Sequence, residues 1–222
     1  MSTGDDAPTR QAIIDTCRAM NAAGVNQGSS GNVSVRVGQG MLITPSGIAY
    51  DAMTPEMIVA MPLDAVSAPE TGLAPSTEWR FHQRLLRDKP EMRAVVHAHP
   101  AHCTALAVNR DPIPACHYMI AAFGGDSVPV AGYALFGGAE LAEKVARAMQ
   151  GRHGCLMANH GAVVVGETLD KALWRMVELE HLARVYTVSR SLGTPHILTA
   201  AEIAEALEGF RGYGPTPAGQ DR

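Results

Sequence analysis

Residues 76–108 read STEWRFHQRLLRDKPEMRAVVHAHPAHCTALAV. Ser76 and Thr77 precede a glutamate and an apolar stripe of Trp79, Phe81, Leu85 and Leu86 at helical spacing, which predicts a helix that Lys89-Pro90 stops. The run AVVHAH that follows is strongly strand-like, and Pro100 to Val108 returns to a short helix. A strand set between two helices, with two of its own residues histidines, is the pattern the rest of the chain has to accommodate.

Towards the N-terminus, residues 9–23 carry Ile13, Ile14, Cys17 and Met20 on one helical face before AAGVNQGSSGN interrupts them. Val33, Val35 and Val37 then alternate with Ser34 and Arg36 as a half-buried strand, and Met41 to Thr44 returns as its hairpin partner. A turn follows at Pro45-Ser46-Gly47, then a short strand over 57–61 and the loop SAPETGLAPS.

Towards the C-terminus, Ile113 to Ala122 reads as a strand or irregular segment, and Ala139 to Met149 as a helix. Two strand-like runs, 155–157 and 162–165, flank Asn159-His160-Gly161. The longest helical pattern covers 168–192, and a last helix covers 199–210. Strands and helices mix without the alternation of a doubly wound parallel sheet. The expected fold is therefore α/β, a central mainly antiparallel mixed β-sheet layered between helices. The chain is expected to form one domain over 1–222, with flexible polar tails at 1–8 and 212–222.

At 222 residues and 46% hydrophobic composition the chain can bury one substantial core. A formal charge of −4 without like-charge runs points away from nucleic acid and membrane surfaces and towards a small-molecule partner. The polar start MSTGDDAPTR and the lack of a long apolar run lead to the expectation of a cytoplasmic protein. Cys17, Cys103, Cys116 and Cys155 have no CxxC spacing, so reduced thiols are expected.

Nine histidines are many for this length, and they concentrate between 82 and 117. Side chains two apart on a strand leave on the same face, so His97 and His99 can share one metal ion. Two strand histidines can equally be satisfied by backbone or water, and more ligands are needed to decide. His160 is a candidate third ligand, since Gly161 permits a tight backbone that re-aims it. Three imidazoles leave an open coordination position, as in catalytic zinc sites, and Glu78 is the carboxylate chosen to complete the set. A cupin-like site would want a glutamate shortly downstream of the His pair, and none is there. His82, His102, His153, His181 and His196 are read as structural.

At PSTEWRFH, AVVHAHPAHCTAL, IPACHYMIAAFGGDSVP, NHG and DKALWRMVELEHLARVY, in order along nearly the whole chain, the sequence resembles the class II aldolase and adducin superfamily, most of all its bacterial fuculose-phosphate aldolases. The resemblance implies a homotetramer with active sites at subunit boundaries and a bound zinc ion, with manganese, cobalt or iron as other divalent candidates. It implies that His97, His99 and His160 ligate the metal, and that Glu78 ligates the resting metal and handles a proton. Tyr118 would reach the neighbouring subunit's site as acid and base on the aldehyde side. Ser29, Asn32, Ser46, Gly47, Ser76 and Thr77 match phosphate-binding positions. Small hydroxyl and amide side chains with backbone N–H groups can form such an anion site without arginine. Phe136 and Tyr213 are expected to shape the aldehyde pocket.

The sequence departs from the resemblance at Asn159, where the relatives typically carry another histidine, at Pro100, and in the tail; these bear on the aldehyde side. The implied reaction is retro-aldol cleavage of a ketose 1-phosphate, L-fuculose 1-phosphate or a 5-deoxy- or 5-methylthio-pentulose 1-phosphate, to dihydroxyacetone phosphate and an aldehyde. Sugar-phosphate epimerases, dehydratases and decarboxylases of the same superfamily are the nearest rival readings. A noncatalytic adducin-like interaction module is a rival of another class, with no physical need to retain the ligands.

Overall fold

The first helix, α1 (Ala7–Ala22), buries Ile13, Ile14, Cys17 and Met20 along one side. It begins two residues earlier than the sequence suggests, because Pro8 lies in its first turn, where a fixed φ is pre-organised for a helix and a missing N–H costs nothing. Residues 7 and 8, expected in a polar tail, are thus helical. The computed structural model describes residues 6–211; Tyr213 and the segments 1–5 and 212–222 lie outside them.

After α1 come the hairpin β1 (Asn32–Val37) and β2 (Gly40–Ile43), then β3 (Val59–Pro62), α2 (Trp79–Asp88), β4 (Ala94–Ala98) and α3 (Ala101–Asn109). The second half carries β5 (Ile113–Pro114), β6 (Ser127–Val128), β7 (Val130–Ala131), α4 (Ala139–Ala148), β8 (Gly154–Met157), β9 (Gly161–Gly166), α5 (Leu169–Leu192) and α6 (Ala200–Arg211). The main sheet has the order β3-β2-β1-β4-β9-β8-β7, antiparallel throughout except where β7 runs parallel to β8.

β4 is the middle strand, and every one of its residues is buried. Alternation sends Ala94, Val96 and Ala98 to one face, where they meet Val33, Val164 and the buried sides of α1, α3 and α5. Val95 goes to the other face, with Met41, Ile43, Val163 and the apolar residues of α2 and α4. The expected layering of helix, sheet and helix follows from this two-sided burial.

Three local expectations change. The α2 helix starts at Trp79 rather than Ser76, because Ser76 N–H donates to Thr44 O at 2.9 Å and Pro45 bridges Pro75, holding this stretch as an extended crossing beside the sheet. The segment after α3 resolves into the two-residue β5 and a 3-10 helix at Tyr118–Phe123. Gly161 serves close approach rather than an unusual φ: a Cβ there would stand 2.5 Å from Ala98 O and 2.6 Å from His99 Cδ2. The left-handed residue of that turn is Asn159, with φ 55°.

Candidate active site

His97 is the fourth residue of β4, directly opposite Asn32 on β1 and Val163 on β9, and is fully buried. Its Nδ1–H donates to Ala162 O at 2.8 Å, which turns Nε2 towards the end of the strand. His99, two residues on, leaves on the same face, and its Nε2 lies 3.1 Å from His97 Nε2. His160 comes from the β8–β9 turn, where the left-handed Asn159 re-aims the chain. Its ring centroid is 4.9 Å from that of His97 and 5.0 Å from that of His99. Gly161 makes this convergence possible, since any side chain there would wedge β9 away from His99.

Glu78, immediately before α2, completes the cluster. Its Oε2 is 3.0 Å from His97 Nε2, and its Oε1 is 3.3 Å from His160 Nε2. The carboxylate is 5% exposed, and Oε1 is buried without a hydrogen-bond partner among the described residues. Burial opposes the charge on Glu78. The pull of His97 and its hydrogen bond, helped by His160 and by Asn32, outweighs burial and holds the carboxyl well below the usual range. Burial likewise opposes the charge on His97, but Glu78 raises its pKa. Burial, with the charge of His97 next, lowers His99 and His160 to about 4, so both are neutral imidazoles near pH 7.

The donor set fits a divalent cation. Three imidazole nitrogens, from His97, His99 and His160, all lie within 4.8 Å of one another. The His97 and His99 nitrogens face each other at 3.1 Å, a distance that suits two lone pairs sharing one ion at bond lengths near ~2.0–2.1 Å. His97 Nε2 also faces the Glu78 carboxylate, and a divalent cation would take the place of the proton that this contact holds in the metal-free protein. The Ala162 contact is the outer hydrogen bond that such ligands commonly make.

The cluster closes one end of a cavity of about 430 Å³. Ser29, Asn32, Ser46, Gly47, Ser76 and Thr77, the six residues matched to phosphate binding, all line it. No Lys or Arg occurs among the described lining residues. Loop 26–31 is pinned from behind: Tyr50 Oη donates to Gly31 O at 2.7 Å, and Asn26 Nδ2 donates to Tyr50 Oη at 3.3 Å. The backbone N–H groups of Ser46 and Ser76 are used in the crossing, on Ala74 O and Thr44 O, so their hydroxyls remain for an anion.

Asn32 does two jobs at once. Its Nδ2 donates to Glu78 Oε2 at 3.0 Å, and its Oδ1 lies 2.5 Å from His82 Nε2. Phe136 lines the cavity and is 61% exposed; Tyr133, which nothing in the sequence signals, lines it too. Tyr118 is not brought to this cavity. It sits in the 3-10 segment, 52% exposed, with its ring against His117 and Phe210. His102 pairs with Glu180, which also accepts from the first turn of α3, a structural role that ties α3 to α5. All four cysteines are free.

The family profile described as Class II Aldolase and Adducin N-terminal domain matches residues 11–187. The chain is 48% identical over 203 residues to an L-fuculose phosphate aldolase of Escherichia coli O6:H1, covering 91% of this chain and 94% of that one. It is 45% identical over 207 residues to a 5-methylthioribulose-1-phosphate/5-deoxyribulose-1-phosphate aldolase of Escherichia coli O45:K1, covering 92% and 95%. A solved L-fuculose 1-phosphate aldolase superposes with a TM-score of 0.88 at 34% identity, covering 94% of this chain and 98% of the other. From the profile match, the extent of these identities and the cluster of three histidines, the chain belongs to the class II aldolase and adducin family and is a lyase of the class II aldolase type.

Proposed function

We propose that this chain cleaves a ketose 1-phosphate between C3 and C4, giving dihydroxyacetone phosphate and a short aldehyde. The observation that carries the reading is a cluster of three imidazole nitrogens and a carboxylate, of which His99, His160 and Glu78 line one cavity together with the hydroxyls and amides of Ser29, Asn32, Ser46, Ser76 and Thr77. The two relatives named above, aldolases of fuculose phosphate and of methylthio- and deoxyribulose phosphates, support the substrate class.

His97, His99 and His160, with Glu78 beside them, would hold a divalent metal, zinc by donor type. When bound, the ion supplies Lewis acidity to a ketone carbonyl and its neighbouring hydroxyl. Ser29, Ser46, Ser76 and Thr77 bind the phosphate through hydroxyls and orient the sugar so that C3 faces Glu78. Glu78, ionised at rest and partly unsatisfied at Oε1, takes up a proton from solvent and delivers it to C3, replacing the one that the C4 hydroxyl gives up.

Tyr118 takes the C4 hydroxyl proton as the aldehyde leaves. Being outside its own chain's cavity, it acts in the cavity of a neighbouring subunit of a homotetramer. Phe136 bounds the aldehyde side. No helix among the described residues is long and apolar enough to cross a membrane, and we place the enzyme, as a single domain with polar ends, in the cytoplasm.

The test incubates the purified chain, after metal analysis, with fuculose 1-phosphate, 5-deoxyribulose 1-phosphate and 5-methylthioribulose 1-phosphate. Dihydroxyacetone phosphate is followed by a coupled dehydrogenase. Its release from at least one sugar, lost on chelation and restored by zinc, is expected. Consumption of sugar without it would move the reading to epimerisation or dehydration.

A further inference from the structure

His82 stands outside the cavity and, like Ser34 and His97, has no exposed surface. It lies on α2 four residues after Glu78 and stacks on Phe81, with ring centroids 4.7 Å apart. Both its nitrogens are occupied. Nδ1 is 2.8 Å from Ser34 Oγ, and Nε2 is 2.5 Å from Asn32 Oδ1. Ser34 and Asn32 are two apart on β1, about 6.6 Å along the strand, and point to the same face; an imidazole with a hydrogen bond at each end spans that gap.

The direction of each bond follows from the far end. Asn32 Nδ2 donates to Glu78 Oε2 at 3.0 Å, an oxygen that faces His97 Nε2 on its other side. That leaves Oδ1 facing His82, which must donate from Nε2–H. Nδ1 is then bare and accepts from the Ser34 hydroxyl. Burial lowers His82 to about 3, which keeps the ring neutral and able to accept at one nitrogen while donating at the other.

We infer that His82 is a positioning residue: the chain Ser34, His82, Asn32 fixes the amide of Asn32 so that it holds the Glu78 carboxylate in line with the three imidazoles. The inference rests on the reading of the cluster as a metal centre. It assigns the Asn32 side chain first to Glu78, and only its remaining amide hydrogen to a phosphate. Without His82 the Asn32 amide is free to rotate, and the carboxylate loses the group that sets its orientation.

Two substitutions separate the ends of the imidazole. Glutamine places an amide nitrogen near the former Nε2 and keeps the Asn32 contact, whereas asparagine reaches only the Ser34 side. Chelator competition on the whole protein should show zinc bound about tenfold more weakly by His82→Asn and within about threefold of wild type by His82→Gln. Combining His82→Asn with Asn32→Ala should weaken zinc no further than Asn32→Ala alone, because the two act through one path. Equal zinc affinity in wild type and His82→Asn, or fully additive losses in the double variant, overturns the inference.

Should His82→Asn fail to fold, Ser34→Ala removes only a hydroxyl and should weaken zinc in the same direction; no change there is equally fatal. A nitrogen-detected NMR spectrum of the metal-free protein reads the tautomer directly, with Nε2 protonated and Nδ1 bare expected for His82. The opposite tautomer overturns the assignment. A wild-type protein with the expected tautomer but no zinc affinity and no aldol cleavage would instead sink the proposed function and leave the hydrogen-bonded chain standing as a structural one.

Discussion

The histidine end and the aromatic end of the cavity are made of different material. His97 is fully buried, Glu78 is 5% exposed, and both are tied down by hydrogen bonds to Ala162 and Asn32. Phe136 and Tyr133 are 61% and 54% exposed, and Tyr118 is 52% exposed on another surface. The first end takes its precision from the sheet: a middle strand, a two-residue period and a glycine that lets β9 come close. The second is open to solvent. Under the proposed function, the bond-breaking groups are then set by the fold, while the choice of aldehyde is left to groups that packing does not fix.

The largest effect expected from breaking this contrast is at the buried end. Glu78→Gln keeps the shape and removes the charge, and should cost about a thousandfold both in cleavage and in proton exchange at C3 of dihydroxyacetone phosphate. Tyr118→Phe tests the group that the proposed function brings to the exposed end from a neighbouring subunit. It should cost about a hundredfold in cleavage while leaving exchange within about threefold, since exchange needs no aldehyde. Equal losses in the two assays would remove Tyr118 from its role.

Gly161→Ala tests whether the sheet sets the spacing of the ligands. A methyl 2.5 Å from Ala98 O must push backbone, so urea denaturation should show a loss of about 1–3 kcal/mol, together with weaker zinc binding. An alanine variant with wild-type stability and metal affinity would mean that β9 can retreat without disturbing His99.

The smallest effect is a slope with pH in the metal-free protein. His82 lies at about 3 and His99 and His160 at about 4, all below the ordinary 6.5. Between pH 4.5 and 6.5 the unfolded chain therefore binds protons that the folded chain refuses, and stability falls as pH drops through that window. For the fully buried His82 this amounts to at most about 1.4 kcal/mol per pH unit, and the partly open His99 and His160 add less. His97, whose pKa is raised, works the other way above 6.5, contributing stability that is lost as pH climbs through its folded value. Urea midpoints measured across the window should slope upward with pH, and His82→Gln should flatten the slope; a level profile in wild type would contradict the buried neutral state of these rings.

The histidine pair was legible because a strand's period is two and both positions obey it. The six residues proposed to bind phosphate were picked out by motif resemblance alone, and all six line the cavity. Helix α5 was legible from its spacing, with Ala172, Met176, Leu179 and Ala183 buried as expected. The start of α2 was not, because the pairing of Ser76 with Thr44 is a long-range contact that outweighs a local capping preference. β7 is two residues long and owes its existence to β8. His82 had no local signature at all, since its partners Ser34 and Asn32 come to it through packing of α2 on β1. Tyr133 likewise carries no pattern beyond lying in a loop.

The absence of lysine and arginine among the described lining residues of the cavity has a further consequence. Under the proposed chemistry the metal is the sole counter-ion for a phosphate dianion, and Glu78 alone would repel it. Occupancy at the two ends is then thermodynamically linked: inorganic phosphate should tighten zinc by the same factor by which zinc tightens phosphate. Cells short of zinc would lose grip on the sugar as well as on the reaction.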